Sequence, residues 1–146
     1  MSDVEIMRLT RSNANLLRNV APAVFDEPVD PTRTAAYVET PGHFMLVAVC
    51  ENTVVAQAAG VIHRHPDKCT ELYIDEVGVA EEFRRKGLAS HMVSELFTIG
   101  REMGCEEACV GTEEDTVPAR RLYDSLGNSA PEPFVMYVYD LMREDS

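Results

Sequence analysis

No apolar run in this sequence reaches the roughly 18–20 residues that a bilayer-spanning helix needs. Met1-Ser2-Asp3-Val4-Glu5 is acidic and lacks the basic and apolar stretches of a cleavable leader, so a cytoplasmic protein is expected. Basic residues are few, 13 Lys and Arg against 25 Asp and Glu, which leaves a net charge of −12. Such a chain repels phosphates, and nucleic acid is not an expected partner. The four cysteines, Cys50, Cys69, Cys105 and Cys109, have no CxxC spacing and no zinc-type histidine pair. Reduced thiols are therefore expected. His63 and His65 fall on one face of a predicted strand, but without a third ligand nearby in the sequence they read as a plain surface pair. No metal is expected. Repeats, linkers and low-complexity tracts are missing too, so residues 1–146 are expected to form one domain.

What the chain does contain is ordinary for a globular protein: 45% hydrophobic and 26% charged residues. A chain of 146 residues buries well over half of the surface it exposes unfolded. The acidic excess suits a cationic ligand such as a polyamine or an aminoglycoside, because a negative cleft concentrates positive molecules. Solubility alone accounts for an acidic balance equally well.

Val4 to Leu9 alternates as a first strand, and Asn13 to Val20 reads as a short helix closed by Pro22. The acidic, proline-punctuated stretch from Asp26 to Asp30 is a loop before Pro31 opens a helix to about Glu39. His43 to Glu51 and Thr53 to His63 are two apolar runs joined at Glu51-Asn52, a hairpin in outline. Glu71 to Val79 is a strand rich in β-branched and aromatic residues, with Gly78 marking a bulge or a close approach by another group. Leu88, Val93, Leu96 and Phe97 have near-helical spacing, ending by Gly104. Ala108 to Thr112 and Phe134 to Leu141 are further strands, the latter the last of the sheet. Strand, helix, strand from Glu71 onward implies a parallel crossover added to an antiparallel start.

Between the Glu71 strand and the long helix lies Arg84-Arg85-Lys86-Gly87-Leu88-Ala89, three adjacent cations in an acidic chain. Small residues at a helix N-terminus let backbone N–H groups close on an anion, and the helix dipole favours negative charge there. No Gly-Lys-Ser/Thr follows, which excludes a Walker loop, and the third glycine and ribose-binding acid of a Rossmann fingerprint are missing. The spacing, Arg/Gln-x-x-Gly-x-Gly/Ala, resembles the acetyl-CoA pyrophosphate loop of the GNAT N-acetyltransferases. Thr116 to Gly127, with Ala119, Leu122, Tyr123 and Gly127 in register, is similar to that family's Asn-x-x-Ala-x-x-Leu-Tyr-x-x-x-Gly segment, with Thr116 in place of Asn. Val24 to Pro31, His65 to Lys68, Glu76 to Val79 and Pro131 to Met136 resemble the aminoglycoside 3-N-acetyltransferase-like branch.

The resemblance, which covers most of the chain, implies a single-domain α/β GNAT fold: a mixed, twisted central sheet of six to seven strands with helices on both faces. It implies an acyltransferase that uses acetyl-CoA as co-substrate, acts on an amine and is commonly a homodimer. In that frame Val77, Gly78 and Val79 meet the pantetheine arm, with the N–H of Val77 or Val79 as oxyanion donor. Arg84, Arg85, Lys86, Gly87, Leu88 and Ala89 hold the pyrophosphate. Tyr123 matches the tyrosine whose hydroxyl approaches the CoA sulfur, and so is the expected acid. Asp75 and Glu76 adjoin on one strand and should face opposite ways. The resemblance favours Glu76 as base, with Asp75 second. Asp26, Glu27 and Asp140 are candidates for gripping ammonium groups, and are equally plausible as ordinary surface acids. Another amine acceptor, or an acetyl-CoA-binding module without transfer, remains open as an alternative.

Overall fold

The computed structural model describes residues 3–142. The chain divides into two compact units, one ending at Thr112 and the other beginning at Glu113.

The first unit is a five-stranded sheet in sequential order: β1 (Glu5–Arg8), β2 (His43–Cys50), β3 (Thr53–His63), β4 (Glu71–Val79) and β5 (Glu107–Val110). The first four strands pair antiparallel, while β5 joins β4 in parallel. Glu51 and Asn52, the β2–β3 turn, both have positive φ, as a two-residue hairpin turn of matching twist requires. The helix α1 (Pro31–Glu39) starts where Pro31 has a pre-set φ and where the Asp30 carboxylate accepts the Arg33 N–H at 2.8 Å. A shorter 3₁₀ turn, Ala14–Arg18, stands where the first helix was expected.

The crossover between β4 and β5 is α2 (Leu88–Glu102), whose buried stripe is Met92, Val93, Leu96 and Gly100. Gly100 lets the helix lie against Leu72, since a Cβ there would stand only 3.1 Å from a Leu72 methyl group. Leu72 also reaches across Gly60 toward Phe44, so Phe44, Gly60 and Leu72 share the α2 face. His43, next to Phe44 on β2, points the other way and meets Tyr37 of α1 edge-on, with ring centroids 5.7 Å apart. The two helices thus cover opposite faces of the sheet.

The second unit contains α3 (Val117–Asp124), with Pro118 in its first turn. Thr116 takes the N-cap position without a side-chain cap bond. The expected last strand, Phe134 to Leu141, is not one: these residues have no ladder partner among the described residues, and Phe134 to Tyr139 are exposed. Alternating apolar residues confer strand propensity, but a strand forms only against a second row of N–H and C=O groups. Among the described residues the sheet accordingly has five strands, not six to seven. Asp140 sits in this exposed segment, its carboxylate accepting the Met142 N–H at 3.0 Å, rather than at a strand end. No described helix is long and apolar enough to cross a membrane.

Candidate active site

Beyond Ile74, β4 parts from β5. The parallel ladder runs from Glu71–Glu107 to Ile74–Val110, while β4 continues to Val79. The exposed backbone edge of that extension has a definite polarity. Ala80 N–H donates to Val55 on the β3 side at 2.8 Å, whereas the Val79 carbonyl accepts Arg84 Nε at 3.0 Å. Peptide groups alternate along a strand, so the N–H groups of Val79 and Val77 point away from β3, onto the edge that β5 has left.

The irregularity that accompanies this parting is not at Gly78. Glu76 pairs with Ala59 and Ile74 with Gly60, which leaves Asp75 as the extra residue of a bulge. Alternation does not carry across a bulge, so it no longer fixes which faces Asp75 and Glu76 take. The charges of both carboxylates bear on one group, the hydroxyl of Tyr37, whose pKa is raised by burial first and by these two acids next.

Gly78 serves the other purpose foreseen for it, a close approach. A Cβ there would run into the Val24 carbonyl oxygen, well inside van der Waals contact. The same carbonyl accepts the Gln57 side-chain amide at 3.2 Å, and Gln57 is opposite Gly78 in the ladder. The Val24 loop therefore lies flat on the sheet, which brings Asp26 beside Glu76. Gly78→Ala should push this loop off, lower stability by about 1–3 kcal/mol and weaken turnover. Denaturant unfolding checks the first effect and steady-state rates the second.

Glu76 is half-buried, and its pKa is raised by desolvation first, then by the charges of Asp26 and Asp75. Gln57 and the backbone at Asp26 oppose the shift by hydrogen bonding to the charged form. Asp75 is exposed. Asp26 and Glu27 also line a cavity of about 750 Å³ formed by Leu17, Ala21, Phe25 and the start of α1. Glu76 is not part of its wall, so Asp26 is what links cavity and carboxylate.

Two members of this site escape sequence reading. Tyr37 looks like one more aromatic on a helix, yet its hydroxyl is buried without a hydrogen-bond partner among the described residues. Gln57 is completely buried with Oε1 unpartnered, and it did carry a signal: a lone amide in the run Val54-Val55-Ala56-Gln57-Ala58-Ala59. Buried polar atoms left without partners are uncommon, and here they cluster beside a half-buried carboxylate.

After β4 the chain makes a short 3₁₀ turn, Glu81–Phe83, and enters the basic loop. Arg85 and Gly87 both have positive φ, 62° and 80°, and Gly87 is the N-cap of α2 with no side-chain cap. A glycine tolerates that backbone freely, and nothing lies within 4 Å of where its Cβ would be, leaving open space above the helix N-terminus. The first-turn N–H groups from Leu88 onward thus face outward without intrahelical acceptors. Arg84 is held to Val79, and the Lys86 ammonium lies 5.5 Å from the Phe83 ring centroid. Among the described residues, none of Arg84, Arg85 and Lys86 is paired with a carboxylate. Their charge remains available to an anion.

Residues 11–127 match the model of the Acetyltransferase (GNAT) family. The chain belongs to the GNAT acetyltransferases. It is an acyltransferase, and acetyl-CoA is the donor that this family uses. No curated protein sequence matches this acetyltransferase significantly. Solved structures with the same fold include an aminoglycoside acetyltransferase, meta-AAC0020, from an uncultured soil metagenomic sample, in complex with trehalose. It has a TM-score of 0.81 at 20% identity, covering 94% of this chain and 96% of that one. The aminoglycoside N-acetyltransferase AAC(6')-Iy, in complex with a bisubstrate analogue, follows at TM-score 0.78 and 16% identity, covering 95% and 99%. A ribosomal-protein-alanine N-acetyltransferase from Brucella melitensis biovar Abortus 2308 has a TM-score of 0.71 at 16% identity, covering 94% and 100%.

In the second unit of this GNAT chain, Tyr123 lies on α3, half-buried, and burial raises its hydroxyl pKa. It stays protonated at neutral pH, the state that a proton donor needs.

Proposed function

We propose that this enzyme moves the acetyl group of acetyl-CoA directly onto a primary amine of a polycationic small molecule of the aminoglycoside class. The observation that carries this reading is the half-buried Glu76 carboxylate, crowded by Asp26 and Asp75, beside the free backbone edge of Val77 and Val79. A raised carboxyl pKa improves a base, and a cluster of carboxylates draws in an ammonium group.

The pyrophosphate rests on the α2 N-terminus and on the cations Arg84, Arg85 and Lys86, and the pantetheine arm follows the outer edge of β4. Glu76, directly or through one water, takes a proton from the acceptor ammonium. The amine nitrogen then attacks the thioester carbon. The N–H of Val77 or Val79 steadies the oxyanion as the tetrahedral intermediate forms. Its collapse breaks the C–S bond; Tyr123 gives the departing thiolate its proton and regains one from the acylated nitrogen, directly or through water, while the proton on Glu76 returns to solvent. Asp26 and Glu27, and more weakly Asp140, attract the remaining ammonium groups. Asp75 is the second choice as base. The buried Gln57 amide steadies the charged form of Glu76, and the buried Tyr37 hydroxyl lies within reach of the same charge.

The test is thiol release from acetyl-CoA across a panel of aminoglycosides, polyamines and peptides. Turnover with gentamicin-type substrates and little with peptides is expected. Preference for a peptide carrying alanine, after the ribosomal-protein alanine in the name of the Brucella neighbour, would replace the aminoglycoside assignment. The sequence resemblance puts the acetyl group on the 3-amino position. NMR of the product locates it, and acetylation at 6′, the position in the name of AAC(6')-Iy, would overturn that choice.

A further inference from the structure

The histidine pair that reads as a plain surface feature in the sequence acquires a third partner in the fold. His63 ends β3 and is in register with Glu71, the first residue of β4, while His65 lies in the turn between them. Glu71 Oε1 is 3.0 Å from His63 Nδ1 and 3.4 Å from His65 Nε2, and the three ligand atoms lie within 4.8 Å of one another. The imidazoles lie with ring centroids 4.2 Å apart, tilted 46° to one another. His65 and Glu71 are largely buried, and His63 is open to solvent. On the neighbouring strand Glu107 is paired with Glu71 in register, adding a second carboxylate.

We propose that His63, His65 and Glu71 form a binding site for a borderline divalent transition metal, Zn²⁺ above all. Two imidazoles and one carboxylate are the donor set that such an ion selects over Mg²⁺ or Ca²⁺, which prefer all-oxygen shells. Ligand atoms about 2.0–2.2 Å from a tetrahedral zinc stand roughly 3.3 Å apart, close to the two separations found between Glu71 and the imidazoles. The fourth position is left to water or Glu107. The site is separate from the proposed transfer chemistry: Glu71 and Glu76 are on one strand, roughly 16 Å apart at the usual rise per residue. A bound ion would clasp the end of β3, the 64–70 turn and the start of β4, a structural use that does not depend on the acyl acceptor.

The test uses untagged, chelator-treated full-length protein titrated with Zn²⁺ against a chromophoric competitor, and with Co²⁺ for its spectrum. One equivalent should bind with micromolar or tighter affinity, and Tm should rise. His65→Ala and Glu71→Gln should each weaken binding at least tenfold. So should His63→Ala, which alters an exposed side chain and leaves folding intact. Cys69→Ser/Cys109→Ser should bind as wild type, and Co²⁺ should give tetrahedral d–d bands without thiolate charge transfer. Failure of the wild-type protein to bind saturably would overturn the proposal. So would an affinity that follows the cysteines, or one that His63→Ala leaves unchanged.

Discussion

Glu76→Gln is expected to lower acetyl transfer by about a hundred- to ten-thousand-fold, the usual worth of a positioned base. The substitution keeps the size and polarity of the side chain and removes only its ability to take a proton. The wild-type rate should rise with pH through an acid limb placed above the ordinary glutamate range, because burial and the charges of Asp26 and Asp75 hold the Glu76 proton. In the glutamine variant that limb should vanish. Stability should move the opposite way. A carboxyl whose folded pKa is raised binds its proton more tightly in the native state, so its stabilising contribution is present below the unfolded pKa and is lost as pH rises through the folded one. At neutral pH the native enzyme therefore carries a destabilising charge, and Glu76→Gln should unfold at a higher denaturant midpoint than wild type. Loss of rate together with gain in stability separates a lost base from a damaged fold. A variant that keeps the wild-type rate and acid limb would pass the role of base to Asp75.

Tyr123→Phe should cause a fall of comparable size, about a hundred- to ten-thousand-fold in turnover, with acetyl-CoA affinity nearly intact. The ring is retained, and only the hydroxyl proposed to protonate the leaving thiolate is lost. Burial already keeps that hydroxyl protonated, so the wild-type enzyme should show no loss of the acid until well above neutral pH. Equilibrium binding of acetyl-CoA alongside single-turnover rates divides the two effects. An unchanged rate would remove Tyr123 from the mechanism and favour departure of the thiolate unaided. Tight binding with no transfer by the wild-type protein to any amine would instead support a binding module.

Much of this molecule is written in short-range pattern. Asp30-Pro31 fixes the start of α1 because a carboxylate cap and a pre-set φ act within one turn. The apolar runs of β2, β3 and β4 appear where their alternation and β-branched content put them. The start of α2 is legible for the same reason, since Gly87 stands at its N-cap with the positive φ that a glycine adopts freely. Gly78 announced a close approach, and Val24 makes it.

Elsewhere local pattern misled or was silent. Phe134 to Leu141 has the composition of a strand, but composition cannot supply the neighbouring edge that a strand requires. The bulge at Asp75 is a property of a pair of strands, invisible in either alone, and it decides where two adjacent carboxylates act. Tyr37 and Glu76 are far apart in the chain, as are Gln57 and Val24.

The sequence by itself determined the family and the order of most elements, because each depends on contacts within a few residues. Tertiary structure alone decided the number of strands, the company that Glu76 keeps and the meeting of His63 and His65 with Glu71. Those depend on register between distant segments, and register is set by the whole sheet closing around one core.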